Sequence, residues 1–247
     1  MKKFVLLVAV CWSLVSAGSV SAATFEDANA KYQAGDFKAA AALYEDLAKA
    51  GGGSGAVYYD LGNAYFRLGM KGKTLVNYVR AFRRLPRDPD VRWNLELVRS
   101  TVPDRSGSRE GNFMRAWAGA AADLFTFDEV CLSITAGLLA FLGLVLLAIY
   151  APQLKLLPHM VQGAVLLFLL AATALFGLKW ADVRDPRAVV LEKEVYAHYG
   201  PSERETKAFL LREGAEVRLL DESKGWLYVT LNDKDPGWIP KGSCEIV

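Results

Sequence analysis

Histidine and cysteine, which often serve as general bases, nucleophiles and metal ligands, are scarce in this chain and far apart. The 247 residues include two histidines, His159 and His198, and three cysteines, Cys11, Cys131 and Cys244. No Cys-X-X-Cys pair occurs, which excludes a thiolate zinc site or a redox dithiol of the usual spacing. No HExxH or GxSxG motif is present. The sequence therefore predicts a protein that is not an enzyme and that binds no metal or cofactor.

One short segment is similar to the end of a phosphate-binding loop. Gly72, Lys73 and Thr74 match the last three positions of the Walker A pattern, but Arg67 stands where the pattern requires its first glycine. The segment also follows a predicted helix, whereas a phosphate-binding loop follows a strand. We interpret it as a turn between two helices.

Charge and hydropathy exclude one class of partner and indicate another. The chain has 29 basic and 27 acidic residues, and the two signs balance once Lys2 and Lys3 are set aside. A chain without a basic field is not expected to bind nucleic acid. Hydrophobic residues make up 53% of the chain and the mean hydropathy is +0.17. Some apolar residues are therefore expected to face the lipid bilayer.

The N-terminus has the pattern of an export signal. Lys2 and Lys3 precede an apolar run from Phe4 to Val15, and small residues follow it. This arrangement predicts a signal peptide over residues 1–23, cleaved after Ala22 or Ala23, with an uncleaved anchor as the alternative. In either case the segment that follows is exported.

Residues 24–100 repeat with a period of 34 residues. The matched pairs are Asn29 with Asn63, Ala30 with Ala64, Gly35 with Gly69, and Tyr44 with Tyr78. This pattern resembles the tetratricopeptide repeat (TPR), an antiparallel pair of helices, with Thr74 where a small alanine is usual. The resemblance implies two repeats, and Asp90 to Arg99 reads as a capping helix over the open end.

A stack of such repeats binds peptides on its concave side, which the first helix of each repeat lines. Asparagine amides there can hydrogen-bond an extended backbone, and aromatic rings supply contact area. TPR proteins that clamp C-terminal carboxylates use lysines where this chain has Phe25 and Asp90, so that specificity is not expected. Phe66 and Trp93 have a second interpretation, as packing residues between repeats. The residues predicted to line the groove are Asn29, Gln33, Tyr59, Asn63, Phe66, Arg67 and Trp93.

Two long apolar segments follow a polar linker. Residues 101–129 are predicted to be a linker and juxtamembrane segment. Residues 130–150 and 160–178 carry no charge and are long enough to span a hydrocarbon layer of about 30 Å, which predicts an antiparallel transmembrane hairpin. A buried helical hairpin in a soluble protein is the alternative. An exported N-terminal part and two crossings place the C-terminal part outside the cytoplasm as well.

Residues 187–247 alternate short apolar runs with Gly, Pro, Asp and Asn, which predicts a small β-barrel. The pairs Gly225-Trp226 and Gly237-Trp238 and the Gly-Pro-Ser turn at residues 200–202 resemble a bacterial SH3 domain. His198 and Tyr199 depart from the Arg and Ser usual before that turn. We interpret Trp226 and Trp238 as packing residues, with ligand binding as the alternative. The surface candidates are His198, Tyr199 and Tyr228.

The order of signal peptide, TPR repeats, transmembrane hairpin and SH3-like domain resembles the BatE-type proteins of bacterial aerotolerance operons. The resemblance implies a non-catalytic scaffold of the inner membrane, with its TPR and SH3-like domains on the periplasmic side. It also implies partners among envelope proteins, namely membrane proteins with von Willebrand A domains and a MoxR-type ATPase. The alternative function is a peptidoglycan-binding or envelope-sensing anchor that acts through the SH3-like domain.

Overall fold

The computed structural model describes residues 19–104, 124–150, 157–184, 186–231 and 235–247. Most of the predicted signal peptide, much of the predicted linker and part of the predicted turn of the hairpin lie outside these ranges. Within them the chain forms seven α-helices and a C-terminal antiparallel sheet of seven strands.

Five helices form the N-terminal part, which we call the helical module. They are α1 (Ser19–Gln33), α2 (Phe37–Leu47), α3 (Gly55–Arg67), α4 (Lys71–Arg84) and α5 (Pro89–Ser100), with one π-helical turn at Ala48–Gly52. The helix boundaries repeat with the predicted offset of 34 residues. Helix α1 ends at Gln33 and α3 ends at Arg67, while α2 begins at Phe37 and α4 begins at Lys71. Gly35 and Gly69 close the two equivalent turns with φ of +79° and +73°, a conformation that favours glycine. Helix α1 runs through the predicted cleavage sites at Ala22 and Ala23.

The two helices of each pair approach each other closely where the repeat register places small residues. A Cβ atom added to Gly62 would lie 2.5 Å from Cδ1 of Tyr78, on the facing helix. Ala28, one period earlier, is fully buried beside Tyr44 in the same core cluster. Helix α5 begins at the cap Asp88, whose carboxylate accepts hydrogen bonds from the backbone amides of Asp90 and Val91.

Replacing Gly62 by leucine is expected to destabilise the helical module by about 1 to 3 kcal/mol, because the added side chain must displace the buried Tyr78 ring. Native-state hydrogen exchange of α3 and α4 in the full chain measures the effect. Unchanged protection of both helices would show that these residues do not form a close helix contact.

Two long helices follow, α6 (Phe127–Tyr150) and α7 (Leu157–Arg184). Their segments Phe127–Leu147 and Met160–Ala181 are long and apolar enough to cross a membrane, and both are mostly exposed. The Phe127 ring contacts Phe176 and Trp180, while Gly137 lies against Leu169, so the helices run antiparallel. Both are longer than the spans of 130–150 and 160–178 predicted from the uncharged runs.

The C-terminal sheet has the strand order β3-β2-β6-β5-β4-β1-β7. Its strands are β1 (Arg187–Val190), β2 (Glu194–His198), β3 (Lys207–Arg212), β4 (Glu216–Ser223), β5 (Trp226–Thr230), β6 (Pro236–Pro240) and β7 (Cys244–Ile246). Strands β4 and β5 form a hairpin whose two-residue turn, Lys224 and Gly225, has φ of 51° and 82°. One core cluster takes buried residues from six of the seven strands, so the sheet curves around it.

The helical module and the sheet pack directly against each other, which the sequence did not lead us to expect. One hydrophobic cluster combines buried residues of α4 and α5 with Val189 of β1, and Leu191 and Val247 pack against the same cluster. The amide of Gly72, in the first turn of α4, donates a hydrogen bond of 2.9 Å to Oε1 of Glu213. A carboxylate is favourable at this position because the N-terminus of a helix carries partial positive charge.

Ion pairs surround this interface. The guanidinium of Arg99 in α5 donates to both carboxylate oxygens of Glu216 in β4, at 2.7 and 3.0 Å. Arg80 of α4 pairs with Glu245 at 2.8 Å. Burial lowers the pKa of Arg99, but the hydrogen bonds and charge of Glu216 outweigh that effect and raise the pKa above its ordinary value. The ion pair between Arg99 and Glu216 therefore stabilises the contact between the two parts.

Candidate functional site

The first helices of the repeats, α1 and α3, together with α5, leave a face that the sheet does not cover. We call it the open face; it comprises the predicted groove residues together with Asp60 of α3 and Asn94 of α5. Among the predicted groove residues on these helices, Gln33, Phe66, Arg67 and Trp93 are exposed, and Asn29, Tyr59 and Asn63 are half-buried. Trp93 has 72% of its surface exposed and Phe66 has 49%. Such exposure excludes both rings from the buried core.

Two of the predicted groove residues have partners inside the fold. The Tyr44 hydroxyl donates a hydrogen bond to Oδ1 of Asn29, and the Tyr78 hydroxyl donates to Oδ1 of Asn63 at 2.7 Å. The two bonds are equivalent under the 34-residue repeat. Both tyrosines are buried, and burial is the main cause that raises the pKa of each phenol. Each asparagine oxygen therefore joins the two helices of one repeat, and the amide nitrogen of Asn63 is also engaged, since it donates to Asp60.

Asn94, which the sequence analysis did not select, connects α5 to α3. Its amide nitrogen donates a hydrogen bond of 2.7 Å to the Tyr59 hydroxyl, and the Tyr59 ring lies against Tyr78 with ring centroids 5.8 Å apart. The guanidinium of Arg67 lies over the Phe37 ring, 4.4 Å from its centroid. Arg67 thus covers the turn between α1 and α2, while Tyr59 is held at the centre of the open face.

Asp60 is the second residue of the open face that the sequence analysis missed. It is half-buried, and its carboxylate accepts one hydrogen bond, of 3.4 Å, from Nδ2 of Asn63. Burial raises the pKa of Asp60, and the hydrogen bond from Asn63 partly offsets this. Its charge also raises the pKa of Tyr44, Tyr59 and Tyr78, so the carboxylate acts on phenols of three helices. The signal available in the sequence was the position of Asp60 between two predicted groove residues, Tyr59 and Asn63.

The segment similar to a phosphate-binding loop is fully engaged in the fold. Gly72 lies under the sheet, where an added Cβ would be 2.6 Å from the carbonyl oxygen of Val190. The ammonium of Lys73 lies 3.7 Å from the Glu45 carboxylate, and the Thr74 hydroxyl donates to the carbonyl of Met70. Thr74 stands where the repeat pattern usually has alanine. Its hydroxyl does not need another partner there, because it donates a hydrogen bond within its own helix.

On the sheet, the three predicted surface residues have different environments. Tyr199 is 70% exposed, as expected for a surface candidate. His198 is buried, which makes its prediction as a surface residue wrong. Its Nδ1 lies 2.9 Å from the Glu205 carbonyl oxygen and therefore carries the proton, and its ring meets the Trp226 ring edge to face. Tyr228 is half-buried and stacks on Trp238 with ring centroids 4.9 Å apart.

Trp226 and Trp238 are half-buried and pack against other rings of the sheet, but neither belongs to its core cluster. Side chains alternate between the two faces of a strand, and on β5 and β6 the buried positions belong to Leu227, Val229 and Ile239. Both tryptophans therefore point away from the core. In the sheet, Trp238 of β6 lies opposite His198 of β2 on one side and opposite Tyr228 of β5 on the other. These residues form a continuous aromatic strip across three strands.

Among the described residues, no group of three or more His, Cys, Asp or Glu side chains is arranged to hold a metal ion. Burial raises the pKa of the Cys244 thiol to about 11, so it is protonated at neutral pH and a poor nucleophile. The two candidate sites are the open face and the aromatic strip.

No known protein family and no curated protein matches this chain.

Proposed function

We propose that this chain is a membrane-anchored, non-catalytic scaffold that binds a protein partner on the open face of a TPR-type helical module. The observation that carries the proposal is the exposure of Trp93 and Phe66 on the side of the module that the sheet leaves open. The opposite side, formed by α4, is covered by β1. Large exposed aromatic rings are typical of the centre of protein interfaces.

The proposal includes the setting that the resemblance implies. The chain would assemble an envelope complex of the aerotolerance type in the bacterial inner membrane, with von Willebrand A proteins and a MoxR-type ATPase. The support is the order of the parts: a repeating helical module, two helices able to cross a membrane, and a small C-terminal antiparallel sheet.

The contact between the helical module and the sheet supports placing both on the same side of the membrane. The Arg99–Glu216 ion pair and the Gly72–Glu213 hydrogen bond join residues that precede α6 to residues that follow α7. Arg87, between α4 and α5, also pairs with Glu129 in the first turn of α6. A bilayer between the two parts would prevent these contacts. An export signal would make that common side the periplasm.

Reporter fusions test this arrangement. A reporter that is active only outside the cytoplasm is expected to be active when fused at Ser106 and at Val247, and inactive when fused at Lys155. A cytoplasmic reporter at the same three positions serves as the control and should show the opposite pattern. Periplasmic activity at Lys155 would contradict the two-crossing topology.

Replacing Trp93 by alanine tests the proposed binding face. Truncating an aromatic residue at the centre of an interface commonly costs at least about 2 kcal/mol, so capture of the partner should fall about 30-fold. The measurement is copurification of von Willebrand A membrane proteins with the full chain from solubilised membranes. Tyr199→Ala, which removes an equally exposed ring from the sheet, is the matched control. Equal capture by both variants would place the binding site elsewhere.

A second candidate function rests on the aromatic strip. Stacked rings such as Tyr228 and Trp238 can lie against the faces of sugar rings, which favours peptidoglycan as the ligand of the SH3-like part. Sedimentation of the full chain with purified peptidoglycan, compared for wild type and Tyr228→Ala, tests it. Loss of cosedimentation in this variant alone would favour the anchor function.

A further inference from the structure

The open face carries a carboxylate without a basic partner. Asp60 is half-buried between phenol groups, and no described residue forms an ion pair with it. Two arginines of the helices that carry the open face are directed to rings instead, since Arg67 lies over Phe37 and Arg92 lies over Phe82. Partial burial of an ionised carboxylate is unfavourable unless an opposite charge compensates it.

The surroundings of Asp60 are those that accept a cation. The phenol of Tyr59 adjoins it on the same helix, and Tyr59 also experiences the negative charges of Asp88 and Asp90 at the start of α5. The exposed rings of Trp93 and Phe66 lie on the same open face, and aromatic faces attract ammonium and guanidinium groups. The open face therefore combines negative potential with exposed aromatic surface.

We propose that the open face receives an extended segment of the protein partner that carries an arginine or lysine side chain, and that Asp60 pairs with this side chain. This inference rests on the proposed function of the open face and adds the chemistry of its ligand. Tyr59 and Trp93 flank the aliphatic stem of the basic side chain. The side chain of Gln33, which is exposed, is available to the peptide backbone.

In the free protein, where the basic side chain of the partner is absent, the partly buried charge of Asp60 is unfavourable for stability. Because burial raises the pKa of its carboxyl group in the folded state, ionisation of Asp60 at neutral pH opposes folding. Asp60→Asn keeps the acceptor for Asn63 and removes the charge. The Asp60→Asn variant is expected to be at least as stable as the wild type. If Asp60 had a purely structural role, the variant would be less stable than the wild type.

Binding of a defined probe tests the proposal. The probe is an acetylated and amidated heptapeptide with one central arginine, and its counterpart carries citrulline, which has the same shape without the charge. Thermophoresis with the full chain in detergent micelles is expected to show at least tenfold weaker binding of the citrulline peptide. Asp60→Asn should weaken binding of the arginine peptide by the same factor and should bind both peptides equally. Asp46→Asn, which removes an exposed carboxylate from α2, is the matched control and should bind like the wild type.

Equal affinity of the two peptides for the wild-type chain, or no binding of the arginine peptide, would overturn the pairing with Asp60. Loss of binding in Asp46→Asn as well would also overturn it, because the attraction would then be nonspecific. The proposed function fails by a different result, namely partner capture that is insensitive to Trp93→Ala. The two tests therefore distinguish a wrong ligand chemistry from a wrong binding face.

Discussion

Replacing Arg99 by leucine is expected to release the sheet from the helical module. Glu216 would lose both of its hydrogen bonds to the guanidinium while its side chain stays largely buried, with 15% of its surface exposed. Breaking such a pair from one side commonly costs about 3 to 5 kcal/mol, because a charge is left buried without a partner. Native-state hydrogen exchange of β4 and α5 in the full chain measures the opening free energy.

Two further variants identify the cause. Arg99→Leu combined with Glu216→Leu should recover most of the loss, because neither charge remains buried alone. Lys241→Ala removes one partner of the exposed ion pair with Glu222, and it should cost about 1 kcal/mol or less. Unchanged exchange in Arg99→Leu would show that the ion pair does not hold the two parts together.

Replacing Gly72 by leucine is expected to separate the same two parts by steric means. Alanine or leucine is normally favoured over glycine in a helix by about 0.5 to 1 kcal/mol, so α4 alone would gain stability. At this position a Cβ would lie 2.6 Å from the carbonyl oxygen of Val190 and 3.0 Å from Cα of Leu191, and backbone atoms cannot rotate away. We expect a net loss of about 3 kcal/mol at the interface.

The measurement is hydrogen exchange of β1 and of the first turns of α4, which should rise together. Gly242→Leu is the matched control, since a Cβ there meets no atom within 4 Å. Increased stability of Gly72→Leu, as intrinsic helix propensity alone would give, would contradict direct packing of the sheet on α4.

The sequence was sufficient to predict the parts of the fold whose signals are local. Turn glycines such as Gly35 and Gly69, the small residue at Gly62 and the apolar stripe of α5 all depend on contacts within one repeat or between adjacent helices. Their period therefore predicts the helix pairs correctly. The two apolar helices were predictable for the same reason, because length and composition define them without reference to any partner.

Contacts between distant parts of the chain could not be read from these patterns. The neighbours of Gly72 in sequence make it similar to the last glycine of a phosphate-binding loop. In the fold it instead allows close packing against Val190, more than a hundred residues away in the chain. The same holds for the ion pair of Arg99 with Glu216. Nothing in the local spacing of either residue indicates its partner.

The candidate site was predicted in part for a related reason. Helix register identified the open face, but it could not show that the Asn29 and Asn63 oxygens are used by Tyr44 and Tyr78. For the sheet, strand alternation was readable in the sequence. That alternation places Trp226 and Trp238 on the face opposite the core, which the smaller Leu227, Val229 and Ile239 fill.

In-cell photocrosslinking tests the proposed scaffold function most directly. A benzophenone amino acid is introduced at Trp93 on the open face, at Tyr199 on the sheet and at Lys38 on α2, three exposed positions. We predict adducts with a von Willebrand A membrane protein from position 93, reduced by Phe66→Ala, and none from positions 199 and 38. Adducts from position 199 without any from position 93 would contradict binding at the open face and would favour the sheet as the functional surface.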